Sequence, residues 1–316
     1  MTQKVFPGFR NDVSNKPMHH SLPPEDIIKC DILALQPRTN VHHVMAEANT
    51  VRRALEFGVA TEQTIIKFRR SNYCLHASMC HPDLPLDALE ICSDWHFWLW
   101  TVDDRLDTGD LSTPGPTLVE FLSSAYNITR GLPTTVNDPH LRWLKFVSDR
   151  LPPSPKGRDF FAQAVDEYLR ASIKPGELEA TNLEAYIAHR LRDSACKTVF
   201  ALVRLYSKST FSPLEHSLLL NLEYQINLVL SVFNDIVSFE NEQKTDRGRW
   251  NTLSVLQAVG QLKTEATIRA TQMVNDAWST AKRSHSQLEN KECGQALMDL
   301  TVGSCFWSIN SPRYQK

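Results

Sequence analysis

Glycine is scarce in this chain, with 11 in 316 residues, about half the usual ~7%. So few turn-formers exclude a fold built from many tight hairpins, and an all-β architecture with it. Proline is nearly missing over one long stretch, since only Pro213 interrupts the span between Pro175 and Pro312. Helices of ordinary or greater length are free to run there. Neither charge sign dominates: 34 Lys and Arg stand against 36 Asp and Glu, for a net charge of -2. That removes the electrostatic footprint of a nucleic-acid binder. No apolar run approaches the ~18 residues that a membrane span needs. The opening MTQKVFPGFRNDVSNKP has no apolar stretch of the kind a secretory signal carries. The seven cysteines, at 30, 74, 80, 92, 196, 293 and 305, are odd in number and scattered. They read as reduced thiols of a cytoplasmic protein rather than a disulfide framework. G-x-G-x-x-G, the P-loop, H-E-x-x-H and G-x-S-x-G are all missing, so no nucleotide cofactor is expected.

What is present is helical. Five of the 17 prolines precede residue 40, which marks 1–40 as an extended arm crossing a surface. Residues 216–233, HSLLLNLEYQINLVLSVF, are apolar nearly all round, as a buried helix requires. Residues 265–282 carry a one-sided stripe at Ile268, Met273, Ala277 and Trp278. Breaks are expected at 109–117, 151–158 and 171–177, each short enough to join helices within one domain. The expectation is one all-α domain over 41–316, large enough to bury its own core.

Two oxygen-rich faces stand out. Residues 91–107, ICSDWHFWLWTVDDRLD, end at Gly109 and the Pro114/Pro116 loop, so Asp103, Asp104 and Asp107 fall in the last turns of a helix. Each carboxylate at that negative end of the dipole costs on the order of 0.3–1 kcal/mol. Asp103 and Asp107 share a face, and that like-charged pair adds a few tenths more. A solvated acidic helix end is one reading, and a bound cation is the other. Oxygen-only ligands select a hard ion, Mg2+ before Zn2+. In 231–249, SVFNDIVSFENEQKTDRGR, the residues Asn234, Ser238 and Glu242 fall at i, i+4 and i+8 on one face. Alone they read as a polar stripe, but with the first cluster they can share metal ions and a polyanion. Candidate donors to such an anion are Arg190 and Arg192 in YIAHRLRDSAC and the terminal Arg313 and Tyr314, although any one of these arginines alone reads as a surface residue.

Together these segments resemble the microbial class I terpene synthases, most closely the sesquiterpene cyclases. The aspartate-rich motif is Asp103-Asp104-Arg-Leu-Asp107, and the second metal motif is Asn234-Asp235-Ile-Val-Ser238-Phe-Glu-Asn-Glu242. The diphosphate-sensing element is Arg190-Leu-Arg-Asp193-Ser194, 44 residues before Asn234, and the terminal pair is Arg313-Tyr314. The resemblance implies a single-domain helical bundle around an apolar cavity, with three Mg2+ gripping the diphosphate of a linear isoprenoid. It implies Asp103 and Asp107 as metal ligands at one side and Asn234, Ser238 and Glu242 at the other. Asp104 would pair with Arg313. Arg190 would sense the diphosphate, Asp193 would link it to the helix break at Ser194, and Arg313 and Tyr314 would donate to it. Two departures accompany the match. Asn241 stands where Lys is frequent, so a phosphate contact either shifts to Lys244 or is absent, and Ser194 stands where Gly is common.

The implied reaction ionises farnesyl diphosphate and cyclises it to a sesquiterpene hydrocarbon or alcohol. The carbocation needs apolar, electron-rich walls, and aromatic faces supply ~0.5–2 kcal/mol each. Leu99 and Trp100 lie a turn below Asp103, and Asn227 and Leu230 lie below Asn234. Trp100, Phe200 and Trp307 are the candidate lining aromatics. Geranyl or geranylgeranyl diphosphate as substrate, a prenyl chain-elongating transferase and a non-catalytic helical scaffold are the alternatives. Product and oligomeric state, a homodimer included, are not legible. The Cys/His run CLHASMCH at 74–81 matches no zinc spacing and reads as buried core; His19-His20 and His42-His43 read as surface pairs.

Overall fold

The computed structural model describes residues 29–107, 109–172, 180–207, 211–245 and 248–314. Among the described residues the regular structure is thirteen α-helices and one 3-10 turn, with no strand. None of these helices is long and apolar enough to cross a membrane. The first seven are α1 (His43–Phe57), α2 (Glu62–Arg70), α3 (Tyr73–Cys80), α4 (Leu86–Asp107), α5 (Pro116–Thr129), α6 (Pro139–Arg150) and α7 (Pro155–Ala171). The remainder are α8 (Leu183–Asp193), α9 (Cys196–Tyr206), α10 (Pro213–Glu242), α11 (Thr252–Ala258), α12 (Lys263–Gln287) and α13 (Lys291–Asn310).

Proline and short polar residues set the starts. Ser212 accepts from Glu215 N while Glu215 reaches back to Ser212 N, and Pro213 fills the first helical position of α10. The all-round apolar segment expected over 216–233 is the middle of this 30-residue helix, buried at Leu219, Leu222, Ile226, Val229 and Val232. The break expected over 151–158 is shorter: Ser154 caps α7 and Pro155 is already its first residue. The break at 171–177 falls largely outside the described residues. In α12 the expected stripe is corrected at Ile268, which is 58% exposed. The expected Ala277 and Trp278 are buried, together with Ala266, Ala270, Val274 and Ala281, and the alanines of this face let α12 pack close along α10. Segment 29–40 holds the turn Asp31–Ala34 and is tied to α12, where Asn275 donates to Lys29 O and accepts from Asp31 N. His19-His20 lies outside the described residues. His43 is half-buried, with Nδ1 3.0 Å from Ser78 Oγ.

The other long helix, α4, is buried at Trp95, Phe97 and Trp98, with α1, α3 and α6 packed about it. On α4 itself Asp94 is fully buried, its charge met by Arg53 at 3.0 Å and Arg150 at 2.9 Å. All seven cysteines are free thiols, six of them buried. This packing leaves a cavity of about 540 Å³ between α4 and α10, closed by α3, α7, α8, α9 and α13.

Candidate active site

Two helices bring their C-terminal ends to the mouth of this cavity. From α4 come Asp103, Asp104 and Asp107, and from α10 come Asn234, Ser238 and Glu242, all lining one space. The fold thus brings these two segments, more than a hundred residues apart in the chain, to one cavity.

The floor of α10's end is organised by Asp235, which is buried and accepts four hydrogen bonds. Tyr186 Oη donates at 2.6 Å, Arg190 Nε at 2.9 Å, Thr252 N at 2.9 Å and Thr252 Oγ1 at 2.7 Å. Arg190 also donates from Nη2 to Asn234 Oδ1 at 3.0 Å and lies 3.4 Å from Asp193. Burial opposes the Arg190 charge, but Asp235 and Asp193 outweigh it and keep the guanidinium firmly protonated. Arg190 is thus a fixed cation against the second oxygen-rich face, lining the same cavity as the first. Arg192, two residues on, is exposed and bonds back to Ala188 O at 3.3 Å.

Between α8 and α9 the chain breaks at Ser194 and Ala195. Ser194 keeps right-handed backbone with φ -67°, so glycine's freedom is not needed there. The left-handed residue is Ala195 at φ 59°, a conformation that costs an L-residue ~1–2 kcal/mol. Asn227 of α10 pins the break. Its Nδ2 donates to Leu191 O at 2.7 Å, while its Oδ1 accepts from Ser194 Oγ at 2.8 Å and Ser231 Oγ at 3.1 Å.

The C-terminal segment folds over the mouth. Asn234 Nδ2 donates to Tyr314 Oη at 2.8 Å. Arg313 donates to Tyr73 Oη, lies 4.7 Å above the Trp100 ring and comes within 3.8 Å of Asp103. The expected pairing of Asp104 with Arg313 is corrected: Lys67 Nζ of α2 donates to Asp104 at 2.9 Å, and Asp103 is the carboxylate nearer Arg313. Asp104 sits on the outer side of α4's last turn, within reach of α2. Asn241 donates to Arg313 O at 3.4 Å, so the residue standing in place of Lys holds the terminal main chain. Lys244 is corrected as well. It follows the end of α10, is exposed, bonds Asn241 Oδ1 at 3.3 Å and does not line the cavity.

The donor set fits a hard cation. Asn234, Ser238 and Glu242 are all oxygen donors at helical spacing along one wall. Burial first, then the negative charge of Asp235, pushes the Glu242 carboxyl above the usual range, a load that a bound cation would relieve. Ser238 Oγ is buried without a well-formed hydrogen bond; Glu242 is near enough to feel it, but not in bonding geometry.

Below the mouth the walls are apolar and aromatic: Leu99, Trp100, Val199, Leu230, Phe233 and Trp307. Trp100 and Trp307 have ring centroids 5.6 Å apart, and Trp307 Nε1 is satisfied by Ser71 O at 3.0 Å and Asn72 O at 2.9 Å. Phe200 is corrected. It is fully buried in the core and does not line the cavity, because α9 turns Val199 inward and the next residue ~100° away. Sequence reasoning did not single out Lys67, Tyr186, His76 or His96 as lining residues. The only signal for the last two was a polar side chain inside an apolar helical run.

The family model described as terpene synthase family 2, C-terminal metal binding, matches residues 94–280. Sesquiterpene synthase 3 of Postia placenta is 23% identical over 92% of this chain and 82% of its own length. The (+)-T-muurolol synthase of Roseiflexus castenholzii is 25% identical over 70% of each chain. Among solved structures, germacradien-4-ol synthase from Streptomyces citricolor superposes with a TM-score of 0.73 at 17% identity, over 88% of this chain and 97% of that one. A helical fold shared with such structures and a family match running from α4 to α12 assign the chain: it belongs to the terpene synthase family, as a class I enzyme of that family.

Proposed function

We propose that this enzyme ionises farnesyl diphosphate in the presence of Mg2+ and cyclises the resulting cation to a sesquiterpene, releasing diphosphate. The observation that carries this reading is the convergence of Asp103, Asp107, Asn234, Ser238 and Glu242 at one mouth of an aromatic-walled cavity of about 540 Å³. A cavity of that size lies within the ~300–1,000 Å³ usual for small-molecule sites. The Roseiflexus relative is named for cyclising farnesyl diphosphate, which supports the choice of chain length. Residues 41–316 would form the catalytic domain, and seven free thiols fit a cytoplasmic setting.

Asp103 and Asp107 would hold metal on α4, and Asn234, Ser238 and Glu242 would hold it on α10. When bound, three Mg2+ would neutralise charge on the departing diphosphate oxygens. Arg190 would donate to the same oxygens, and its fixed position against Asp235 means little reorganisation is needed at that moment. Arg313 and Tyr314 would close over the diphosphate and keep water out. The break at Ser194 and Ala195, held by Asn227, would present main-chain dipole to the reacting carbon. Trp100 and Trp307 would face the carbocation.

The test is the purified protein with farnesyl diphosphate and Mg2+, followed by gas chromatography–mass spectrometry of the extract. A cyclic hydrocarbon or alcohol is expected, and it disappears with EDTA. A longer diphosphate would indicate chain elongation. Turnover of geranyl or geranylgeranyl diphosphate in preference would change the substrate, and no product with any of them would make the chain a scaffold.

A further inference from the structure

One polar assembly lies inside the apolar part of the cavity and takes no part in the steps above. His96 precedes Asp103 by seven residues on α4, which puts it on the same face and about 10 Å further down the helix. It lines the cavity together with His76 of α3 and Ser304 of α13. The two imidazoles meet Nδ1 to Nδ1 at 3.2 Å, and His76 Nε2 lies 3.1 Å from Ser304 Oγ. Whichever ring donates in the shared contact, the other must offer a lone pair. His96 Nε2 is buried and has no hydrogen-bond partner among the described residues.

Burial holds the rings neutral. It lowers His96 to about 4, and it lowers His76 further with help from His96 and His81. Cys80, which also lines the cavity, is a thiol that burial keeps protonated. The imidazoles are therefore the neutral bases at the end of the cavity away from the acidic mouth. Aromatic faces stand against them, with the His76 and Trp307 ring centroids 4.6 Å apart, and these would stabilise an imidazolium as they would a carbocation.

We propose that the His96–His76 pair is the base that terminates the reaction, so that the product is a cyclic hydrocarbon formed by proton loss rather than an alcohol formed by water capture. The proposal rests on the cyclisation reading above. A C–H bond beside the cationic carbon breaks and its electron pair becomes the new C=C bond. The proton passes to an imidazole lone pair, and the imidazolium later gives it to water. Nothing is oxidised or reduced.

Wild type, His96→Phe and His96→Gln, each checked for folding by circular dichroism, are given farnesyl diphosphate and Mg2+. Diphosphate release and the product profile are measured separately. Release is expected to persist in both variants while formation of the main wild-type hydrocarbon falls on the order of 10²-fold or more, with isomers or alcohols in its place. An unchanged profile in folded variants overturns the proposal, as does a wild-type alcohol whose oxygen comes from isotopically labelled water. A wild type that makes no cyclic product sinks the cyclisation reading itself, which is a separate result. Where the His96 variants do not fold, Ser304→Ala carries the test by untying His76, with the same kind of shift expected.

Discussion

Arg190 and Asp235 form a buried ion pair at 2.9 Å that joins α8 to α10 directly beneath the second oxygen-rich face. The carboxylate is buried and its Oδ2 already accepts from three other donors, so a guanidinium that swung away would leave Oδ1 of a buried charge unpaired. Removing one partner leaves the other charged and buried, which costs about 3–5 kcal/mol. Asp235→Ala is therefore expected to lose that much stability in urea unfolding, and to lose activity even where the protein remains folded.

Asp103→Asn should behave in the opposite way. Asp103 lies in the last turn of α4, where its charge opposes the helix dipole, so the neutral amide changes stability by no more than about 1 kcal/mol and in the favourable direction. Turnover with farnesyl diphosphate is expected to fall on the order of 10²-fold or more. Near-normal turnover would remove Asp103 from the metal ligands.

Trp100→Leu takes an aromatic face from the cavity wall and from beneath the Arg313 guanidinium. A loss of ~0.5–2 kcal/mol of cation stabilisation is enough to redirect competing steps. The expected outcome is an altered product ratio by gas chromatography, with diphosphate release less affected than the ratio.

Acid should weaken the fold through the buried imidazoles. Burial holds His96 at about 4 and His81 at about 3, against 6.5 for a free ring. Below pH 6.5 the unfolded chain binds protons that the folded one refuses, so stability falls as pH drops through that window. His96 alone accounts for about 3 kcal/mol by pH 4. The melting temperature of wild type is expected to fall between pH 6.5 and pH 4, with a shallower slope in His96→Gln.

The parts of this molecule legible in its sequence were those fixed by local periodicity. The long apolar run of α10 and the carboxylates stranded at the wrong end of α4 follow from helix geometry and dipole alone. What escaped were matters of direction and of distant partnership. Phe200 is an aromatic candidate for the cavity wall, yet the rotation of a single residue along α9 gives that wall to Val199. Lys244 follows the last turn of α10, where nothing local fixes its direction. Ile268 looked like core by hydropathy, but close approach of α12 to α10 favours alanine, and the bulkier side chain is left outside. Lys67's grip on Asp104 bridges α2 and α4, elements whose adjacency no spacing rule announces.

His96, Trp100, Asp103 and Asp107 form a single ridge on α4, so one rigid rod sets both the acidic rim and the imidazole floor. Such a rod is a ruler. Inserting one residue between His96 and Asp103 would twist its two marks ~100° apart and spoil the gauge, whereas adding a whole turn would realign them about 5 Å further apart and suit a longer isoprenoid tail.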